Sequence, residues 1–177
     1  MIRLFVALAL PDAVADPIKL LQGGVPGARW MERDQLHLTL RFIGEVDGRD
    51  AAAIDDALSQ VRAPRFTLEL KGVGEFGGKT PRALWAGVRV ESEIVHLQRK
   101  VESALQRLGL EAEERKFKPH VTLARLRAAP VGRVMDYLAD HALYASVPFE
   151  VNAFILYSSK LAPGGSLYRA EKAYRLD

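Results

Sequence analysis

A displacement of 83 residues relates the two halves of this chain, and it restricts the fold more than any other feature of the sequence. His37-Leu-Thr-Leu matches His120-Val-Thr-Leu, and Phe66-Thr-Leu matches Phe149-Glu-Val, both at a separation of 83. A constant displacement between short matches is the signature of a duplicated supersecondary unit. Each half must supply a similar lobe, and the two lobes must share a core, because no Pro-, Gly- or Ser-rich linker separates them. The expectation is one two-lobed domain over residues 1–177, with the lobes related by an approximate two-fold axis.

Apolar periodicity fills in the unit. Residues 2–10 read as a buried strand closed by Pro11, and residues 11–22 contain a helix stopped by Gly23-Gly24. Its start is open, since Pro17 could stand at N1 behind an Asp16 cap. Residues 36–43 alternate as a half-buried strand, with Leu36, Leu38, Leu40 and Phe42 on one face and His37, Thr39 and Arg41 on the other. A helix over 47–61, a strand over 66–70 and a Gly-rich loop over 72–81 complete the first half. The order then recurs as strand 83–90, helix 91–108, strand 120–126, helix 131–143 and strand 149–157. A turn at Pro163-Gly164-Gly165 leads into a closing strand over 167–176.

Composition narrows the chemistry. The absence of cysteine excludes disulfide scaffolds, thiol catalysis and Cys-ligated metal centres. A net charge of +3 with pI near 9.3 suits a polyanionic partner without requiring one. No apolar run reaches the roughly 18 residues of a membrane span. Arg3, the run 4–10 and Ala13-Val14-Ala15 imitate a signal peptide, but the run has minimal length and a single cation precedes it, so the strand reading is preferred.

The chain has only four His and four Thr, so two His-x-Thr occurrences have a chance expectation on the order of 0.3%. On a strand, residues i and i+2 share a face about 7 Å apart, so each motif presents an imidazole beside a hydroxyl. Two imidazoles across a cleft suit phosphodiester chemistry: a neutral ring takes a proton from water while a protonated ring gives one to the leaving oxygen. The threonine hydroxyls would hold non-bridging oxygens, and Arg41 and Arg125 are the nearest cations. Strict alternation puts Arg41 on the His face and Arg125 on the other, so Arg125 needs a bulge or strand end to reach the site. One such motif alone would read as a core histidine bonded to its threonine. A metal site finds no support: there is no His-Glu-x-x-His helix and no carboxylate within either motif.

His37-Leu-Thr-Leu-Arg-Phe-Ile-Gly44 and His120-Val-Thr-Leu-Ala-Arg125 resemble the paired motifs of the two-histidine phosphoesterase superfamily, and its bacterial RNA 2′,3′-cyclic phosphodiesterase (2′-5′ RNA ligase-like) branch in particular. The similarity extends to residues 3–11, Arg29-Trp30, Pro81-Arg82-Ala-Leu-Trp85 and Ser166-Leu-Tyr168. The resemblance implies an α+β bilobal duplicated fold, with two antiparallel sheets and outer helices around a central cleft. It implies cofactor-free opening of an RNA 2′,3′-cyclic phosphate to a 2′-phosphate, with 2′-5′ ligation as a further family activity, in the cytoplasm. It also assigns His37 as proton donor and His120 as proton acceptor, with Thr39, Thr122 and Arg125 on the phosphate.

Phe76 and Tyr168 are candidates for base stacking, while Trp85 reads as core and His96 and His141 as surface or cap residues. Arg115, Lys116 and Lys118 read as a solvated basic run. The partners expected are RNA ends or cyclic-phosphate nucleotides, with a single copy of the chain favoured and no membrane. An RNA-end binding module without turnover, and a phosphoesterase for a small cyclic nucleotide or ADP-ribose cyclic phosphate, remain the alternatives.

Overall fold

A computed structural model describes residues 1–177. Its strands are β1 (Ile2–Ala9), β2 (Ala28–Trp30), β3 (His37–Val46), β4 (Phe66–Leu68), β5 (Leu70–Phe76), β6 (Ala83–Val88), β7 (Val121–Leu126), β8 (Phe149–Val151), β9 (Ala153–Ala162) and β10 (Gly165–Arg175). The helices are α1 (Asp12–Ala15), α2 (Gly48–Ser59), α3 (Ser92–Arg107) and α4 (Val131–Asp140). Seven strands form an antiparallel sheet in the order β10-β9-β1-β3-β7-β6-β5, β2 adds to β7, and β4 and β8 form a separate ribbon.

The duplication is a β-α-β-α-β-β unit, β1-α1-β3-α2-β4-β5 followed by β6-α3-β7-α4-β8-β9, with β10 added at the edge. The lobes nevertheless do not coincide with the repeats. β9 of the second repeat pairs with β1 of the first, β5 of the first pairs with β6 of the second, and β4 pairs with β8. Each half-sheet therefore takes its outer strand from the other half of the sequence, which explains why no linker separates the lobes. The half-sheets meet where β3 pairs with β7 at Leu38 and Val121.

Alternation in β1 and β3 turns Val6, Leu8 and Leu38 toward the helices, where they meet Ile54 and Leu58 of α2 and Ile94, Leu97, Val101 and Leu105 of α3 in one buried cluster. Asp47 caps α2 by accepting from the Asp50 N–H. The first helix is shorter than the periodicity predicts: α1 gives way to a 3₁₀ turn over Asp16–Leu21, because Pro17 has no N–H for the α ladder. Of residues 72–81, read as a loop, 72–76 instead continue β5 and the rest form the turn after it. Gly74 sits in the strand because Trp85 lies over it: a Cβ there would come within 2.2 Å of the indole. The strand expected over 149–157 breaks at Asn152. No helix is long and apolar enough to cross a membrane.

Candidate active site

The one registered pair between β3 and β7 fixes the site. With Leu38 opposite Val121 in an antiparallel ladder, His37 falls across from Thr122, and Thr39 across from His120. All four side chains project from the face opposite the helices. Cross-strand neighbours lie about 5 Å apart and i, i+2 neighbours about 7 Å, so the imidazoles stand at opposite corners of a grid with a diagonal of about 9 Å. The two motifs thus interlock, each imidazole facing the other motif's hydroxyl.

Both rings are oriented in the same way. His37 Nδ1–H donates to the Gln35 carbonyl at 2.7 Å, and His120 Nδ1–H to the Lys118 carbonyl at 2.6 Å. A carbonyl can only accept, so Nδ1 carries the proton and each neutral ring offers a lone pair at Nε2. His37 Nε2 accepts from the Thr39 hydroxyl at 2.9 Å; His120 has no corresponding bond. Aromatic rings hold the imidazoles in place. Phe5 and Tyr168 lie 4.9 and 5.1 Å from His37 between centroids, and Phe76 lies 5.0 Å from His120. Phe76 and Tyr168 meet their imidazoles edge-on, so these two candidates for base stacking also serve as ring supports.

Burial is the main cause of the electrostatics. It pushes the His37 imidazole down to about 4, against the opposing effect of the Gln35 carbonyl, and His120 and Arg125 add to the depression. Burial also lowers His120, with the Lys118 carbonyl opposing it and the Lys118 and Arg125 cations reinforcing it. Both rings are neutral in the empty site at neutral pH.

The arginines exchange the places that strict alternation gives them. On β3, Val6 pairs with Arg41 and Ala7 with Thr39, leaving Leu40 as a bulge. On β7, Leu84 pairs with Ala124 and Trp85 with Thr122, leaving Leu123 as the bulge. Leu40 and Leu123 are themselves 83 residues apart, so the irregularity is duplicated with the motif. Each bulge reverses the alternation. Arg125 therefore turns onto the His face, exposed and without a carboxylate partner, as the sequence required for it to reach the site. Arg41 turns to the helix face, where it is buried and pairs with Glu102 at 2.5 Å, and it donates to the Phe42 and Glu111 carbonyls. It does not line the cleft. Phe42, expected on the apolar face, is instead paired with Phe5 on the cleft side and half exposed.

Trp85 is another residue whose place differs from the expectation of core. It shares the cleft face with Thr122, its ring centroid 6.1 Å from that of His120, with Lys118 Nζ 5.1 Å from its ring. Arg29 also belongs to this face, because β2 aligns it with Arg125. Its Nη2, the movable end of a long side chain, lies 2.6 Å from where a Cβ on Gly165 would stand, and the φ of +119° at Gly165 is what requires glycine at that turn. A three-residue strand gives too short a pattern to reveal Arg29 from sequence. No three His, Asp or Glu side chains converge as a metal-ligating group would require.

Comparison with known proteins agrees with this arrangement. Residues 10–162 match the 2′-5′ RNA ligase superfamily. The chain belongs to that superfamily. Among its relatives, a protein of Archaeoglobus fulgidus named RNA 2′,3′-cyclic phosphodiesterase is 33% identical over 171 residues, covering 94% of this chain and 96% of its own. A protein of Thermotoga maritima with the same name is 34% identical over 175 residues, covering 94% and 91%. Among solved structures, Escherichia coli LigT complexed with 3′-AMP superposes with a TM-score of 0.80 at 28% identity, covering 99% of this chain and 98% of that one. The bilobal α+β architecture expected of a superfamily member is the one observed.

Proposed function

We propose that this protein is a cyclic phosphodiesterase that opens the terminal 2′,3′-cyclic phosphate of RNA to a 2′-phosphate. The observation that carries the reading is the Leu38–Val121 register, which sets two imidazoles and two threonine hydroxyls on one exposed face. The names of the Archaeoglobus and Thermotoga relatives, and a nucleotide bound to E. coli LigT, support it.

In this mechanism His120 Nε2 takes a proton from water as the water oxygen attacks phosphorus. The P–O3′ bond breaks, and His37 Nε2–H delivers a proton to the departing 3′ oxygen. The net change is addition of one water, with the phosphate retained on the 2′ oxygen. Thr39, Thr122 and Arg125 bind the non-bridging oxygens, where charge accumulates in the transition state. The fixed Nδ1–H bonds keep both Nε2 atoms directed at the substrate, and the aromatic rings limit reorientation. Because His37 is neutral in the empty site, it gains its proton as the anionic phosphate arrives, the opposite charge favouring the imidazolium. With an RNA 5′-hydroxyl in place of water, His120 taking its proton and His37 protonating the departing 3′ oxygen, the same step forms a P–O5′ bond and yields a 2′-5′ linkage; its reverse cleaves that linkage. Phe76 and Tyr168 present their free ring surface to the terminal base. One chain holds both motifs, so a single copy acting in the cytoplasm suffices.

The test is incubation of an oligoribonucleotide ending in a 2′,3′-cyclic phosphate with the protein in excess EDTA, followed by end-group analysis. A 2′-phosphate product is expected. A 3′-phosphate would contradict the donor assignment of His37, and recovery of the intact cyclic end would replace hydrolysis by simple binding.

A further inference from the structure

The helical face, on the far side of the sheet from the imidazoles, carries a concavity of about 400 Å³ between the end of α2 and the middle of α3. Gln60, Arg62, His96, Arg99, Lys100 and Arg107 line it, Val61 is its one apolar residue, and no carboxylate contributes to its wall. None of its four permanent cations forms a salt bridge, whereas Arg3, Arg33, Arg41, Arg65, Arg89, Arg115 and Arg169 all do. Arg62 is held at the mouth by donating to the Ser59 and Val61 carbonyls at the α2 C-terminus.

Four cations without ion-pair partners, gathered in a wall that has no carboxylate, make this concavity a local centre of positive charge. Clustering like charges without counterions is unfavourable unless an anion is bound there. Apart from the His96 imidazole, the wall offers fork donors and an ammonium, groups that suit phosphates. Arg99 and Arg107 are eight residues apart on α3, about 12 Å along the helix at 1.5 Å per residue. A nucleic-acid strand in a duplex advances about 3.4 Å per phosphate, so this span covers about three to four phosphate steps.

We infer that this concavity is a second RNA site, which grips the sugar-phosphate backbone of a substrate whose cyclic end lies in the cleft. The inference rests on the RNA reading proposed above. The two sites are on opposite faces of the sheet, so a dinucleotide cannot occupy both, whereas a long or folded RNA passing round the sheet can. The site supplies affinity for long substrates and no discrimination among sequences.

The test compares wild type with the triple variant Arg99→Gln, Lys100→Gln, Arg107→Gln, all at exposed positions of α3. Binding of a fluorescently labelled 30-nucleotide RNA is read by anisotropy across salt concentrations, and hydrolysis of a dinucleotide 2′,3′-cyclic phosphate is measured in parallel. Loss of three phosphate contacts lowers the slope of log K against log[salt] by about 2, and weakens binding about 100-fold at 0.1 M salt. Dinucleotide kcat/KM stays at the wild-type value. The variant Arg99→Lys, Arg107→Lys, which keeps the charge, retains most of the affinity. Unchanged 30-mer affinity and slope in the triple variant would overturn the inference, as would equal losses on long and short substrates. Anisotropy needs no turnover, so a wild-type protein that bound the 30-mer through this face but left the dinucleotide intact would refute the cleft chemistry alone.

Discussion

Replacing Arg41 by Met separates a structural arginine from a phosphate-binding one. Arg41 is 8% exposed and its partner Glu102 15% exposed. Burial alone would raise the Glu102 carboxyl, but hydrogen bonds from Arg41, the Glu113 N–H and Gln106, with the Arg41 charge, hold it below the usual carboxylate value. Removing one member of a buried pair costs about 3–5 kcal/mol, because the other charge is left uncompensated. The Glu113 and Gln106 donors remain in Arg41→Met, so the lower end, about 3 kcal/mol, is expected. For a chain of this size that is a fall in Tm of about 6–12 °C. Guanidinium unfolding followed by circular dichroism gives the first number, and kcat/KM on a cyclic-phosphate dinucleotide gives the second, which should fall by less than about tenfold. Adding Glu102→Gln should restore part of the stability, since loss of both charges removes the desolvation penalty. The paired carboxylate stabilises above its unfolded pKa, so the gap between wild type and Arg41→Met narrows as pH falls through the native value of Glu102. Unchanged stability with a hundredfold loss of kcat/KM would refute this reasoning and return Arg41 to the phosphate.

Other consequences follow from burial at the cleft. The His37 imidazole is held near 4 against 6.5 in the unfolded chain, so the unfolded state binds the extra proton between those values. Stability is full above pH 6.5 and falls by about 3 kcal/mol as pH drops toward 4, a loss that unfolding titrations of His37→Gln should not show. Since kcat/KM reports the free enzyme and both rings are lowered, its pH optimum should lie below 6.5, with the kcat profile displaced upward by the bound phosphate; an optimum near 8 for kcat/KM would contradict the burial argument. Gly74→Ala places a Cβ inside the Trp85 ring. It should cost about 1–3 kcal/mol by overpacking and reduce kcat through displacement of the wall beside His120, both readable from the same unfolding and kinetic assays. His37→Gln and His120→Gln should each lower kcat by about 10²–10⁴-fold, in EDTA as in its absence.

The motif positions were legible from sequence because strand alternation is a short-range rule: His37 and Thr39, and His120 and Thr122, need only two residues of regular β structure to share a face. The rule fails one residue later. Leu40 and Leu123 are bulges that nothing in their identity announces, since leucine is an ordinary strand residue, and those bulges decide that Arg125 reaches the cleft and Arg41 does not. The strand over Leu70–Phe76 was hidden by Gly72 and Gly74, which suggest a loop locally, although Gly74 is dictated by the Trp85 ring lying across it. Exchange of β5 and β9 between lobes was equally beyond reach, because a repeat offset shows that two units are alike but not which partner each strand chooses. The side chains around the imidazoles, Phe5 beside His37 and Trp85 beside His120, come from strands whose register against the motifs only the assembled sheet defines.

The central claim is that both imidazoles act on one phosphate, and imidazole ¹⁵N NMR with adenosine 2′-monophosphate tests it directly. Saturating ligand should shift the Nε2 resonances of His37 and His120 together and raise the titration midpoints of both, His37 the more from its value near 4. A response confined to one ring, or midpoints unmoved at saturation, would mean that the two histidines do not share a substrate.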